Sequence, residues 1–148
     1  MEKEQVCVFC GEKPGAFRST QVECAGTLQF ACKTCEKELR DLDEVEVCRR
    51  ALLRRLAKNP EILEKRIVFI NEAEEHRLTC LRCGTKLRFC DEETLDTSPY
   101  GDSMLTESLD VIPALCENCG KIEFFNPQFI KKNKHLAYLI YKDTHLEG

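Results

Sequence analysis

Two kinds of hydrophobic pattern follow one another in the N-terminal part of the chain. Apolar and polar residues partly alternate in residues 17–24 and 27–31, on either side of Ala25-Gly26, which predicts a β-hairpin. Residues 43–58 then carry apolar side chains at spacings of three and four, as in one face of a helix. We therefore predict a hairpin followed by a helix that runs from about Asp43 to Lys58.

A second helical pattern begins at Asn59-Pro60. Asn is a favoured N-cap residue, and Pro fits the first helical turn because the amide that it lacks would have no partner there. Apolar side chains follow at helical spacing as far as Ile70. Residues 59–77 are therefore predicted to form a helical connector between an N-terminal region, residues 1–58, and the rest of the chain.

Short alternating stretches return beyond residue 78. Lys86–Phe89, Leu109–Val111 and Lys121–Phe124 alternate polar and apolar residues, which predicts three short antiparallel strands within residues 78–126. The insert from Asp91 to Ser108 is long and polar and is predicted to be a loop.

The C-terminal tail, residues 127–148, opens with another cap-and-turn pair. Asn126-Pro127 precedes apolar side chains at helical spacing, so a helix is predicted from about 127 to 141. Residues 136–141 would also fit a strand.

Cysteine gives the chain its candidate chemistry, with 11 among 148 residues. Two residues between thiols allow a tight turn to aim both sulfurs at one ion, and two such turns complete the four-thiolate tetrahedron that Zn²⁺ prefers. Gly11, Gly84 and Gly120 each follow a pair, where the turn needs a residue that tolerates positive φ. The four Cys-x-x-Cys pairs are Cys7/Cys10, Cys32/Cys35, Cys80/Cys83 and Cys116/Cys119.

Spacing suggests how the pairs combine. The first two pairs are separated by 21 residues and the last two by 32, whereas 44 residues separate the second pair from the third. Two sequential four-Cys sites that hold two Zn²⁺ per chain are the prediction, and interleaved pairing stays open. A redox dithiol, disulfides and an iron–sulfur cluster fit the spacings less well.

Three cysteines and three histidines are left over. Cys24, Cys48 and Cys90 are predicted to be small buried hydrophobes, with a redox or metal-responsive sensor as the alternative. His76 lies four residues before Cys80, but a completed four-Cys shell needs no fifth ligand, so we predict that it is exposed and does not bind metal.

Charge disfavours nucleic acid as the main partner. The formal net charge is −4, and residues 80–120 hold three Lys or Arg against eight Asp or Glu. A protein that coats phosphate usually needs a basic domain. The opposing feature is a basic stripe on the predicted helix 49–58, together with a Lys-rich tail, and the residues of the stripe are Arg49, Arg50, Arg54, Arg55 and Lys58.

The N-terminal region resembles a known class of zinc module. Cys7-Val8-Phe9-Cys10-Gly11 and Ala31-Cys32-Lys33-Thr34-Cys35, with the hairpin between them and a helix after them, are similar to the treble-clef zinc fingers at the head of bacterial Clp unfoldase subunits. The resemblance covers about 35 residues. It implies a module for protein association.

Residues 80–125 resemble small bacterial zinc-ribbon proteins of unassigned function. The residues that carry the likeness are the run from Cys80 to Phe89, then Leu109-Asp110-Val111, and above all the run from Cys116 to Phe125. Some of those proteins are classed as nucleic-acid binding. The resemblance implies a three-stranded zinc ribbon.

We therefore expect a small α+β zinc protein with a treble-clef-like finger, a helical connector and a C-terminal zinc ribbon. No apolar run is long enough to cross a bilayer and no secretory leader is apparent, so a cytoplasmic location is expected. No catalytic motif is found, which favours a non-enzymatic adaptor for a protein partner. A homodimer stays open, and nucleic-acid binding through the basic stripe is the alternative.

Overall fold

The computed structural model describes residues 5–15, 19–96 and 108–146, and it divides the chain into two compact units. Unit 1 is Met1–Asn71 and unit 2 is Glu72–Gly148. The start of the predicted hairpin, Phe17-Arg18, and most of the predicted loop 91–108 lie outside the described residues. Among the helices described, none combines the length and apolar character that a membrane span requires.

Unit 1 contains the predicted hairpin. Strands β1 (Ser19–Cys24) and β2 (Thr27–Cys32) pair antiparallel, with Ser19 opposite Cys32. Ala25 and Gly26 join them with φ of 53° and 78°, the positive values that a two-residue hairpin turn requires. The turn fixes the register that returns the chain to its second Cys pair.

Three helices follow the hairpin, and they are α1 (Lys33–Leu39), α2 (Glu44–Leu53) and α3 (Pro60–Glu75). Helix α2 is capped by Asp43, whose side chain accepts a hydrogen bond from the backbone N–H of Glu46 at 2.8 Å. Helix α3 covers most of the predicted connector.

The prediction that one helix runs to Lys58 is wrong, because α2 ends at Leu53. Arg55 has a φ of 57°, which no α-helix contains. The buried side chain of Gln29 then holds Lys58: its Nε2 donates to the Lys58 carbonyl at 2.9 Å, and its Oε1 accepts from the Lys58 N–H at 2.8 Å. This contact from the hairpin replaces the hydrogen bonds that a continuing helix would make.

A small core holds unit 1 together between the hairpin and its helices. Cys24 and Cys48 belong to it and are almost fully buried, so the prediction that they are buried hydrophobes is confirmed. The other buried members are Leu39, Val47, Ala51 and Leu63.

The described part of unit 2 contains four strands where three were predicted, and they are β3 (Arg88–Phe89), β4 (Glu93–Asp96), β5 (Ser108–Leu115) and β6 (Ile122–Phe125). All three neighbours of β5 pair antiparallel with it. Between Phe89 and Glu93 the chain advances four residues while β5 advances three, so a β-bulge separates β3 from β4. The extra strand, β4, lies within the segment predicted to be a loop, and its side chains are mostly exposed.

The C-terminal tail is helical, but its helix is interrupted. Helix α4 (Pro127–Ile130) is followed by a turn, by α5 (Lys134–Tyr141) and by a short π-helix, Lys142–Leu146. The break in the predicted 127–141 helix has a local cause: the side chain of Asn133 accepts hydrogen bonds from the N–H groups of His135 and Leu136 and caps α5.

A buried ion pair ties this tail to the start of the sheet. Asp143 has only 4% of its surface exposed, and its carboxylate accepts from Arg77 Nη1 at 2.6 Å and from the backbone N–H of Phe89 at 2.9 Å. Arg77 also pairs with Glu74. These polar contacts lie beside a core whose largest buried side chains are Leu87, Phe89, Ile112 and Leu139.

Candidate metal centres

The pair Cys7/Cys10 lies in a tight backbone turn, the first knuckle. The N–H of Gly11 donates to the carbonyl of Cys7 at 2.8 Å, and the N–H of Cys7 donates to the carbonyl of Glu12 at 2.9 Å. Gly11 has a φ of 78°, which explains the glycine. The N–H of Val8 donates to the carbonyl of Phe30 and so attaches the knuckle to β2.

Two further Cys pairs repeat this geometry in unit 2. Gly84 and Gly120 donate to the carbonyls of Cys80 and Cys116, each at 2.8 Å, and both glycines have a φ of 74°. The first of these knuckles lies just before β3 and the second connects β5 to β6. Because β3 and β6 both pair with the end of β5 near Leu115, the sheet brings the two knuckles together.

The fourth pair, Cys32/Cys35, is held by a helix instead of a knuckle. Cys32 ends β2 and is the N-cap of α1, and its Sγ accepts a hydrogen bond from the N–H of Cys35 at 3.4 Å. One residue is thus both a candidate ligand and the cap that begins the helix.

The eight sulfurs converge into two groups that follow the sequential pairing. Within each group all four Sγ atoms lie within 4.8 Å of one another. Site 1 consists of Cys7, Cys10, Cys32 and Cys35. Site 2 consists of Cys80, Cys83, Cys116 and Cys119.

The sulfur separations fit a tetrahedral metal ion. A zinc–sulfur bond of about 2.3 Å places the sulfurs of a tetrahedron about 3.8 Å apart. Cys10 and Cys32 have Sγ atoms 3.9 Å apart at site 1, and Cys80 and Cys119 have Sγ atoms 3.7 Å apart at site 2. Four soft sulfur donors at these distances are the ligand set of Zn²⁺.

The thiols of site 1 differ in how readily they ionise. Burial raises the pKa of Cys7, but the backbone N–H groups of Cys32, Cys10 and Phe9 donate to its sulfur and lower the pKa to about 7. At Cys35, burial and the neighbouring thiols raise the pKa. Four thiolates this close repel one another, so a dication is needed for all of them to stay ionised.

The thiols of site 2 also differ in how readily they ionise. The Thr85 hydroxyl lies 3.3 Å from Cys83 Sγ, and hydrogen bonds from this hydroxyl and from the Thr85 backbone lower the pKa of Cys83 to about 5. The pKa of Cys119 rises to about 11: the Lys121 N–H lowers it, but burial and the other thiols outweigh this effect. Thr85 was not singled out from the sequence, although its place directly after Gly84 was the available signal.

The two sites differ in exposure. Cys83 is exposed to solvent, whereas each ligand of site 1 is buried or half-buried. Cys90 belongs to neither site, and it is half-buried rather than buried as predicted.

His76 is exposed, as predicted, and lies outside both four-Cys groups. Its ring stacks on that of His135, with centroids 4.9 Å apart and planes 9° from parallel.

The basic stripe predicted on residues 49–58 is not a single helical face. Arg49 and Arg50 lie on α2 and pair with Glu46 at 2.9 Å and 3.3 Å. Arg54 caps the helix and donates from Nε to the carbonyl of Phe9, in the first knuckle, at 3.1 Å. Arg55 and Lys58 lie beyond the end of α2, so the helical spacing that predicted one line of cations does not extend to them.

No protein-family model, curated protein or solved structure matches the chain.

Proposed function

We propose that the protein is a non-enzymatic adaptor in which two structural zinc ions hold two small modules in shape for a protein partner. The observation that carries the proposal is the closed donor set of each site, four sulfurs within 4.8 Å of one another. A four-thiolate shell leaves no position for a water molecule or a substrate. Zinc held in this way supports the fold and does not act as a Lewis acid.

The order of elements in each unit supports the two module types that the sequence suggests. In unit 1, a knuckle and a hairpin precede a helix whose N-cap is a ligand, the order of a treble-clef finger. In unit 2, two knuckles lie at one end of an antiparallel sheet, the arrangement of a zinc ribbon. We propose these two assignments together with the function.

Exposed apolar side chains support a protein partner. Leu81 is 85% exposed, Phe129 71% and Phe124 56%, and all three belong to unit 2. The acidic segment 80–120 would repel phosphate. In unit 1, Arg49, Arg50 and Arg54 are already engaged by groups of the chain itself, which weakens the case for nucleic acid.

Metal analysis tests the first part of the proposal. The chain, purified without chelator, should contain two zinc ions, and each of the eight ligand thiols should be alkylated more slowly than after the zinc is removed. One ion or none, with the ligand thiols freely alkylated, would contradict it.

A mobility-shift titration tests the partner class. We expect weak binding of a short DNA duplex or RNA hairpin at 150 mM salt, unchanged by the triple variant R49E/R50E/R55E. Tight, salt-sensitive binding that this variant abolishes would establish the nucleic-acid alternative. Arg54 is left intact in this variant because it contacts the first knuckle.

A further inference from the structure

Arg54 is the one residue of the predicted phosphate-binding stripe whose guanidinium reaches a metal centre. Its Nε donates to the Phe9 carbonyl at 3.1 Å, across 45 positions of sequence. The same side chain covers the outer face of the first knuckle: a Cβ built on Gly11 would lie 3.4 Å from Arg54 Nη1 and 3.7 Å from its Cδ. The end of α2 is thereby fastened to the loop that presents Cys7 and Cys10.

The peptide unit that Arg54 contacts lies between the two cysteines of the knuckle. Its carbonyl belongs to Phe9 and its N–H to Cys10. A hydrogen bond to that carbonyl restrains the orientation of the peptide, and this backbone sets the separation of the Cys7 and Cys10 sulfurs. Arg54 therefore contacts the segment that presents both sulfurs to site 1.

We propose that Arg54 is a positioning residue of site 1, which holds the Cys7–Gly11 knuckle in its metal-binding shape. This inference rests on the proposed function, because it requires that site 1 holds zinc. Groups that hydrogen-bond behind a ligand in this way commonly change metal affinity by about 10- to 100-fold. Arg54 is exposed, which favours the lower end of that range.

The test compares zinc release from the two sites of one chain. The full-length protein, loaded with zinc and labelled with ¹⁵N and ¹³C, is mixed with excess chelator. The amide peak of Gly11 then reports site 1, and those of Gly84 and Gly120 report site 2. The variants are R54A, R54K and the control R49A, which removes a neighbouring exposed cation whose partner among the described residues is the surface residue Glu46.

In R54A we expect release from site 1 to be about tenfold faster, with site 2 within about twofold of wild type. The Phe9 carbonyl ¹³C resonance should move upfield in the zinc-loaded R54A variant, since that carbonyl loses its donor. R54K should restore part of both effects, and R49A should match wild type.

Three outcomes would overturn the inference: an unchanged site 1 rate in R54A, equal acceleration at both sites, or the same acceleration in R49A. Metal analysis of the starting protein separates this failure from that of the proposed function. If the chain binds two zinc ions but R54A releases zinc from site 1 at the wild-type rate, only the role of Arg54 is refuted. A chain that binds none refutes the zinc centres themselves.

Discussion

Sites 1 and 2 each consist of four cysteines, but the backbone structures that hold these cysteines differ. Site 2 is made of two knuckles with nearly identical hydrogen bonds, and paired strands bring them together. Site 1 combines one such knuckle with the first turn of α1, where Cys32 is both ligand and helix cap. The difference shows that the knuckle is a local, self-contained structure, whereas the helical half depends on the strand that precedes it.

The two units also differ in the kind of contact that holds a later segment of the chain in place. Unit 2 uses a buried ion pair, in which Asp143 bonds to Arg77 and to the Phe89 backbone. Unit 1 uses a neutral amide, with Gln29 bonded to both backbone groups of Lys58. The following predictions are arranged to test these contrasts.

Replacing one ligand in each site should have the largest effect. Metal binding supplies about 10–16 kcal/mol in small zinc modules. We expect C7S and C116S each to lose about one zinc per chain and to unfold the unit that contains the substitution, because each unit has its own core. Metal analysis and a ¹H–¹⁵N spectrum of each variant check this. Loss of both metals from either variant would contradict the separation of the two sites.

Replacing Asp143 should give the second largest effect, a decrease in the free energy of unfolding of unit 2. In D143A the Arg77 guanidinium, whose side chain is only 9% exposed, loses its buried partner. Breaking a buried pair in this way typically costs about 3–5 kcal/mol. A urea titration of the zinc-loaded variant, followed through amide peaks of unit 2, gives the free energy of unfolding. A loss below about 1 kcal/mol would show that Glu74, which stays paired with Arg77, compensates the charge of the guanidinium without Asp143.

Replacing Gln29 should decrease the free energy of unfolding of unit 1 by less than D143A decreases that of unit 2. In Q29A the N–H and carbonyl of Lys58 lose neutral partners, and an unsatisfied group of this kind costs about 1–3 kcal/mol. The same titration, read from amide peaks of unit 1, measures the change. A cost equal to that of D143A would remove the contrast between a charged and a neutral contact.

Thiol reagents should distinguish the sites by exposure. In the zinc-loaded protein, Cys83 is the exposed ligand, so iodoacetamide should modify it several-fold faster than Cys7. Cys24 should react last, since burial, with smaller effects from nearby acidic groups, raises its pKa to about 12. Mass spectrometry of peptides at successive times gives the order. Earlier labelling of Cys7 would reverse the predicted difference in accessibility.

The smallest effect concerns pH. The hydrogen bond from Arg77 lowers the pKa of Glu74 from 4.5 to about 2, despite partial burial. A depressed carboxylate stabilises the fold above pH 4.5, and this contribution declines as pH falls from 4.5 towards 2. The stability difference between wild type and E74Q should therefore be constant from pH 8 to 5 and shrink at pH 4. Because both proteins lose zinc in acid, only their difference is informative, and a difference that grows on acidification would contradict the assignment.

The sequence was most informative where structure is local. The glycines after Cys10, Cys83 and Cys119 mark turns whose geometry depends only on neighbouring residues, and the Ala25-Gly26 turn belongs to the same class. The spacings also favoured the sequential grouping of the pairs, although the alternative had to await the structure.

The hydrophobic pattern could not predict contacts between residues that are far apart in sequence. Helix α2 ends at Leu53, and Gln29 bonds to Lys58, 29 positions away, where the helix was predicted to continue. The periodicity of residues 43–58 does not indicate that bond. Strand β4 was missed because its side chains face solvent and give no strong alternation. The contact between Arg54 and Phe9 is equally remote in sequence, so Arg54 looked like one more surface cation.

The sequential grouping of the eight cysteines also bears on how the chain would acquire zinc during synthesis. Cys35 completes site 1, and the first ligand of site 2 is 45 residues later. At about 5–20 residues per second, a ribosome takes roughly 2–9 seconds to cover that interval. If zinc binds within that time, the first four thiols are occupied before the second four are available. Synthesis in this order would then favour the sequential pairing over the mixed pairings that eight similar thiols offer.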